Sequence, residues 1–251
     1  MLRDLHRRHV ATMVFEAIDV LLDREVRLEP RHLEAKLVLG RRGGYCFEQN
    51  TLFKCALEAL GFEVDILIAR SRWGRPLEDL RPRTHMALRV RLDELDWLCD
   101  VGSPRSILAE PVLMSDRAPQ ATAFEPVRLV SIDDELRLEA FTLGDWRPVY
   151  DLVPKAQLDV DLIAGNWFAS THPTSPFRQA LIVSRQINGV RYALLENRWS
   201  VRRAGHPTEY RRLSAQQLAD SLRADFDLPV EPAWSRVLAE AVARGDRLAR
   251  V

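Results

Sequence analysis

Residues Arg42-Gly43-Gly44-Tyr45-Cys46-Phe47-Glu48 place a cysteine where a glycine-rich turn runs into an amphipathic helix. Downstream, Leu52, Phe53, Ala56, Leu57 and Leu60 recur at helical spacing, and Gly61 supplies a stop. Cys46 is therefore expected in the first turn of a helix that ends near Leu60. There its sulfur lies beside unpaired backbone N–H groups and the positive end of the helix dipole, which stabilise negative charge. The thiolate is the attacking form of cysteine, so the position suits a nucleophile. Phe53 lies close to two full turns beyond Cys46, which puts Cys46 on the apolar face. Cys55 is half a turn out of phase and points away. A cysteine at the head of an apolar helix is most often only a small buried residue. The preceding Gly-Gly pair, which lets backbone come close to a ligand, shifts the reading toward a site.

A cysteine nucleophile works with a histidine and usually a carboxylate behind it. The chain has 6 histidines. His6 and His9 fall in a basic amphipathic opening helix and are expected in solvent. His32 lies in the polar part of a second helix, His206 in a Gly-His-Pro turn, and His172 before a proline, where a local hydrogen bond is the plain reading. His85 opens the run His85-Met86-Ala87-Leu88-Arg89-Val90-Arg91, which reads as a strand. A second strand, Leu95-Asp96-Trp97-Leu98-Cys99-Asp100-Val101, follows a short polar turn near Asp93-Glu94.

In a hairpin with an even-numbered loop, odd residues of the first strand face even residues of the second. His85 and Asp100 then project from one face, opposite each other or one diagonal step apart. Asp96 shares that face but lies toward the turn, and Cys99 points to the other face, into the core. An odd-length loop would separate the pair. An ordinary polar hairpin face is the competing reading, and the helix-head cysteine is what makes Cys46, His85 and Asp100 a plausible triad. No metal site is expected, because there is no paired Cys-x-x-Cys or His-x-x-x-His.

These residues closely resemble the arylamine N-acetyltransferase family. Its active-site motif Arg-Gly-Gly-Tyr-Cys-Phe-Glu stands at 42–48, its Arg-Thr-His-Met at 83–86 and its Asp-Val-Gly at 100–102. Val14-Phe15-Glu16 resembles the family's Pro-Phe-Glu segment. Asn166-Trp167-Phe168-Ala169-Ser170-Thr171-His172-Pro173 resembles its late Asn-aromatic…Ser-Thr-His-Pro stretch, continued by Ser175-Pro176-Phe177.

The resemblance implies an α+β fold with a cysteine-protease-like core and a ping-pong acyl transfer from acetyl-CoA to an arylamine, hydrazine or arylhydroxylamine. Cys46 would carry the acyl group as a thioester, His85 would deprotonate the thiol, and Asp100 would hold the imidazole. It further implies that Arg42 pairs with Glu16 to brace the active-site loop, and that Phe15, Thr84, Gly102, Ser103 and Phe177 touch substrate or coenzyme. Acetyl-CoA enters as acyl donor, and no tightly bound cofactor is implied.

Three departures bear on specificity. Ser103-Pro104 follow Asp-Val-Gly where the family usually has Phe-Gly, removing an aromatic wall from the acceptor pocket. The chain begins close to the Leu-His-Arg segment, so an N-terminal helical piece common in the family is missing. Met13 and Ala17 depart from the usual residues around Phe15-Glu16. These departures keep open an amide synthase of the same superfamily, releasing a carrier-bound polyketide as an amide or macrolactam. A non-catalytic binding protein of the same fold is a further alternative that intact Cys46, His85 and Asp100 disfavour.

The 251 residues, 47% hydrophobic, suffice for a substantial core and one to three compact units. A formal net charge of zero leaves no electrostatic footprint for nucleic acid. No apolar run has membrane-spanning length, and the charged N-terminus is unlike a signal peptide. Three unpatterned cysteines suit a reducing cytosol.

The organisation expected is a helical part over 1–61 carrying the nucleophile, a β-rich, barrel-like part over 62–150 carrying His85 and Asp100, and an α/β lid over 151–251. Within these, helices are expected at the N-terminus, around 30–39, after Cys46, and at 158–169 and 215–226. Strands are expected at 64–69, in the His85 hairpin, at 127–129 and 136–143, at an edge over 146–150, and at 180–187 and 190–196, the last two joined by Asn188-Gly189.

Overall fold

Two antiparallel sheets and the helices packed on them make an α+β fold. The computed structural model describes residues 1–104, 107–142, 144–203 and 206–248. The opening helix α1 (Leu2–Thr12) buries Leu2, His6 and Val10, one residue per turn along a single stripe. After it come β1 (Phe15–Glu16), the short α2 (Ile18–Leu21) and α3 (Pro30–Leu33), which runs straight into a π-helical turn over Glu34–Leu39. Helix α4 (Cys46–Ala59) follows, and Gly61 beyond it adopts a left-handed φ of 86°.

The larger sheet contains β2 (Glu63–Ser71), β3 (His85–Leu92), β4 (Leu95–Cys99), β5 (Val112–Leu113), β6 (Val127–Ile132), β7 (Glu135–Thr142) and β8 (Asp145–Gln157). Its strand order is β5-β4-β3-β2-β8-β7-β6, with every neighbouring pair antiparallel. The chain then forms α5 (Asp161–Thr171) and α6 (Pro176–Gln179), followed by β9 (Ile182–Ile187), β10 (Val190–Leu195), β11 (Arg198–Arg203) and β12 (Glu209–Arg212). The second sheet has the order β1-β9-β10-β11-β12, so a strand from the N-terminal region completes the sheet of the C-terminal strands. Helices α7 (Ala215–Ala224) and α8 (Ser235–Leu248) cover it, with Leu218, Leu222, Phe226, Trp234 and Val237 buried against Val183, Leu194 and Val201. Among the described residues no helix is long and apolar enough to cross a membrane.

One face of β3 and one of α4 bury each other through Met86, Leu88, Val90, Phe53 and Leu57. The opposite face of β3 turns Ala87 inward with Leu67, Ala69, Leu98 and Leu129, filling the interior of the curved sheet. The hairpin loop is the two-residue Asp93-Glu94, with φ of 52° and 58°, and Leu92 pairs with Leu95 while Leu88 pairs with Cys99. The loop is thus even-numbered, and Asp100 comes one diagonal step from His85.

Several sequence expectations are corrected. The strand read as an edge over 146–150 runs over Asp145–Gln157 and lies between β2 and β7. Its two prolines argue against an interior strand, yet both fall where the ladders slip. Pairing steps from Leu138 opposite Tyr150 to Glu139 opposite Pro148, and the ladder with β2 shifts between Ile66 and Ile68, beside Pro154. Bulges there spare the bonds that a proline cannot make. The helix expected around 30–39 is α-helical only over Pro30–Leu33 and continues as the π turn, and the helix expected from 158 starts at Asp161. The strands β1, β11 and β12 and the helix α8 were not anticipated. Leu143, the expected end of β7, and Gly205 of the Gly-His-Pro turn lie outside the described residues.

Candidate active site

Cys46 is the first residue of α4, and the chain reaches it through an extended Tyr45 whose N–H is accepted by the Glu48 carboxylate at 3.1 Å. That reciprocal contact is half of a capping box and fixes the start of the helix at the cysteine. The preceding loop lies beside β1: Gly44 donates to the Val14 carbonyl at 3.1 Å, and Glu16 donates to the Gly44 carbonyl at 3.2 Å. Gly43 has no room for a side chain, since a Cβ would sit 2.2 Å from the Val14 oxygen. Gln49 adds bonds from its amide to the carbonyls of Val14 and Gly44, at 3.0 and 2.7 Å.

Beneath the loop, buried Arg42 meets fully buried Glu16 at 2.9 Å, Asp19 at 3.1 Å and Glu231 at 2.8 Å, and its guanidinium lies over the Trp234 ring. The second Glu16 oxygen accepts the Ile18 N–H. Lys36, carried by the π turn, reaches both Asp19 and Glu48 at 2.7 Å. Burial works against ionising Asp19, and the charges of Lys36 and Arg42 overcome it, holding its carboxyl down at about 2. The Arg42–Glu16 pair expected from the resemblance is thus one link in a buried, hydrogen-bonded ion network that anchors the loop from below.

His85 opens β3 and is 7% exposed, while Asp100, just past β4, is fully buried. His85 Nε2 and Asp100 Oδ2 are 2.7 Å apart, which leaves Nδ1 as the nitrogen available to the sulfur. Cys46 Sγ lies 3.8 Å from the carbonyl of Thr84, the residue before His85, which sets the sulfur beside the start of β3. Burial disfavours a charged His85, but the Asp100 carboxylate and the Cys46 sulfur outweigh it and push the imidazole up to about 10. Asp100 responds in kind: burial opposes its charge, and His85, Asn50 and the Gly102 N–H together hold its carboxyl below the usual range.

The three side chains expected to act together are therefore brought together, on α4, β3 and the end of β4. Gly102 is what lets these elements approach, since a Cβ there would meet Cys46 Cα at 2.6 Å. The other two cysteines stand apart. Burial pushes the Cys99 thiol well up, and raises that of Cys55 as well.

The remaining expected residues divide into two groups. Phe15 and Phe177 are buried 5.9 Å apart, with Tyr45 edge-on to Phe177 at 5.2 Å, so an aromatic cluster flanks the head of α4. Thr84, Gly102 and Ser103 lie next to Cys46, His85 and Asp100; Ser103 is 4% exposed and points its hydroxyl toward the Pro104 carbonyl at 3.4 Å. Beyond Pro104 a cleft of about 360 Å³ opens between the two sheets, walled by Trp73, Ile182 and Tyr210 and carrying Arg147 and Arg198.

Sequence reasoning missed Asn50 and His6. Asn50 donates to Asp100 Oδ1 at 3.1 Å and to the Met86 carbonyl at 2.8 Å, and accepts the Val101 N–H at 3.1 Å, tying both strands of the hairpin to α4. Its position one turn after Cys46 was the available signal, since a polar residue there shares the buried face. His6, expected in solvent, is fully buried. It stands one turn from both Leu2 and Val10, and that stripe outranks the surrounding arginines in fixing the buried face. Its partner His9 is only partly exposed, and its ring packs edge-on against Phe53 at 5.2 Å.

Known proteins match along nearly the whole chain. A profile described as N-acetyltransferase covers residues 1–235. The arylamine N-acetyltransferase of Escherichia coli K12 is 36% identical over 234 residues, spanning 92% of this chain and 83% of that protein. The Mycolicibacterium smegmatis protein of the same name is 37% identical over 224 residues, spanning 88% and 82%. Among solved structures, the Mycobacterium marinum arylamine N-acetyltransferase in complex with CoA superposes with a TM-score of 0.90 at 32% identity, over 96% of this chain and 91% of that one. The Salmonella typhimurium arylamine N-acetyltransferase superposes with a TM-score of 0.89 at 32% identity, over 97% and 90%.

Proposed function

Because the chain belongs to the arylamine N-acetyltransferase family, we propose that it transfers an acetyl group from acetyl-CoA to an arylamine or hydrazine through a thioester on Cys46. The observation that carries this reading is His85, bonded to the buried Asp100 carboxylate at 2.7 Å and next in sequence to Thr84, whose carbonyl meets the Cys46 sulfur at the head of α4.

The chemistry follows from the proton on that histidine. Cys46 gives its proton to His85, and Asp100 together with the helix dipole stabilises the resulting thiolate–imidazolium pair. The thiolate attacks the acetyl carbonyl, and N–H groups of the first turn of α4, which lack intrahelical acceptors, would stabilise the oxyanion charge. As the carbon–sulfur bond to the coenzyme breaks, the imidazolium returns its proton to the leaving thiolate, releasing CoA. Neutral His85 then takes a proton from the amine as it attacks the Cys46 thioester, and Cys46 leaves as thiolate beside imidazolium, restoring the starting pair. One histidine serves both halves, which is why a ping-pong sequence suits this geometry. The three free cysteines, with Cys46 required in reduced form, fit a reducing cytosol.

The cleft beyond Pro104 suits the coenzyme: Arg147 and Arg198 match phosphate, and the Trp73 and Tyr210 rings match an adenine face. Replacing Arg198 by Ala should raise the KM for acetyl-CoA about tenfold with little change in kcat, the scale of one charge-assisted hydrogen bond. Steady-state kinetics at low and high salt check this, and an unchanged KM would move the phosphates elsewhere.

The direct test of the function is mass spectrometry of protein mixed with acetyl-CoA. One acetyl group should appear on the peptide containing Cys46 and disappear on adding an arylamine or hydrazine, with N-acetyl product formed in equal amount. Protein that stays unlabelled, or that carries its label on another residue, overturns the reading.

A further inference from the structure

The N–H of Asp100 belongs to a fully buried residue just beyond the last ladder residue of β4. It is accepted by the imidazole of His6, with the Asp100 nitrogen 3.2 Å from His6 Nε2. The other ring nitrogen, Nδ1, lies 3.2 Å from the Ala109 carbonyl. These two partners settle the state of the ring. A backbone N–H can only donate, so Nε2 is bare; a carbonyl can only accept, so Nδ1 carries the hydrogen. A second proton would set N–H against N–H.

The surroundings enforce that neutral form. The ring stands edge-on to Phe53 of α4 at 5.7 Å. The charged or titratable groups around it are the Asp100 carboxylate, Glu110 from the loop before β5, and His9 on its own helix. Glu110 is itself claimed by Arg7 at 2.6 Å and Arg3 at 3.5 Å. Burial dominates over the two carboxylates and brings His6 down to about 4.

We propose that His6 is a positioning residue for acyl transfer: by holding the backbone of Asp100, it sets the orientation of the carboxylate that orients His85. This rests on the triad reading above. The Asp100 side chain has its own restraints, on Oδ1 from Asn50 and the Gly102 N–H at 3.1 Å each, and Asn50 also accepts the N–H of Val101. The His6 contact adds a restraint on the backbone N–H of Asp100 itself. It also explains why a histidine occupies a helical stripe otherwise filled by Leu2 and Val10: only a side chain with an acceptor at its tip and a donor at its waist meets both demands.

Two substitutions separate positioning from mere packing. His6→Gln places an amide oxygen where Nε2 was and keeps the Asp100 bond. His6→Asn is shorter; it can serve Ala109 but falls short of Asp100. The assay is the rate of Cys46 acetylation against pH, with melting temperature measured in parallel. His6→Gln should stay within about threefold of the parent, whereas His6→Asn should lose about tenfold or more, the scale of one unsatisfied buried N–H. The KM for acetyl-CoA should hold in both. In His6→Asn the alkaline limb, which reports the imidazolium of His85, should also move to lower pH, because a misplaced Asp100 stabilises that cation less.

A role confined to packing α1 would lower the melting temperature of both variants and leave the limb in place, and that result overturns the assignment. So does a folded His6→Asn with parental rate and profile. If His6→Asn does not fold, ¹⁵N-histidine spectra of the parent near neutral pH decide between hydrogen on Nδ1, as required, and hydrogen on Nε2, which refutes the contact. A parent that never acetylates Cys46 overturns the functional reading and this one with it, an outcome distinct from normal rates in the variants.

Discussion

Cys46→Ser is expected to abolish turnover, lowering kcat/KM by at least about 10⁴-fold, as removal of a covalent nucleophile does elsewhere. The hydroxyl is far less acidic than the thiol, so His85 cannot hold its proton in the ground state and no useful nucleophile forms. The fold should persist. Cys46 is 2% exposed and in contact with backbone on two sides, but serine is nearly isosteric, and the loop around it is fixed by Glu16, Arg42 and Gln49 rather than by the sulfur. A stability loss within about 2 kcal/mol is the expected ceiling. Iodoacetamide should label Cys46 ahead of Cys55 and Cys99, whose thiols burial pushes up and keeps protonated. Alkylation followed by peptide mapping, together with activity and melting curves for Cys46→Ser, checks both parts. Residual turnover above a thousandth of wild type, or equal labelling of the three cysteines, would remove Cys46 from its role.

The parts of this architecture that follow local periodicity were legible in the sequence. The α4 helix, the His85 hairpin and the Asn188-Gly189 hairpin each carry a two- or 3.6-residue pattern closed by a turn residue, and each formed where its pattern placed it. The diagonal relation of His85 and Asp100 needed only the parity of one loop. Long-range demands were not legible. β1 is two residues long and exists because β9 offers an edge 167 residues later, and nothing local announces it. The interior position of β8 contradicted its prolines, because bulges that depend on β2 and β7 absorb them.

The site shows the same division. Cys46, His85 and Asp100 stood out by residue type and element position, whereas their supports did not. Lys36 reaches Asp19 and Glu48 because a π turn redirects one helix, and His6 serves an amide 94 residues away. A charged or aromatic side chain in an amphipathic helix looks solvated until the element covering it is known. Support residues are therefore the last to be readable, because their partners are set by tertiary packing.

Asp100→Asn should preserve the fold and cost about 10³- to 10⁴-fold in kcat. The reason lies in the hydrogen bonds around the carboxylate. Oδ1 accepts from the Asn50 amide, whose nitrogen also donates to the Met86 carbonyl, and from the Gly102 N–H; neither group can accept in return. In the variant those donors keep the amide oxygen on their side, which forces the NH₂ to face His85 Nε2. A donor there requires Nε2 to be bare and places the ring hydrogen on Nδ1, the nitrogen that accepts the Cys46 proton in the proposed mechanism. The substitution thus converts the base into a donor aimed at the sulfur.

The pH profile should change in the direction the charge dictates. In the wild type His85 titrates at about 10, with Asp100 its largest favourable influence, so the imidazolium survives through neutral pH. Its stabilisation of the fold is complete below the ordinary histidine value of about 6.5 and is lost as pH rises through about 10. Without the Asp100 charge, burial governs the ring, and the alkaline limb of activity should retreat toward neutrality while the alkaline fall in stability disappears. Activity and urea unfolding between pH 6 and 10.5, on wild type and Asp100→Asn together, test this. An Asn variant with normal turnover would require another carboxylate behind His85, and an unmoved limb would show that the sulfur alone sustains the imidazolium.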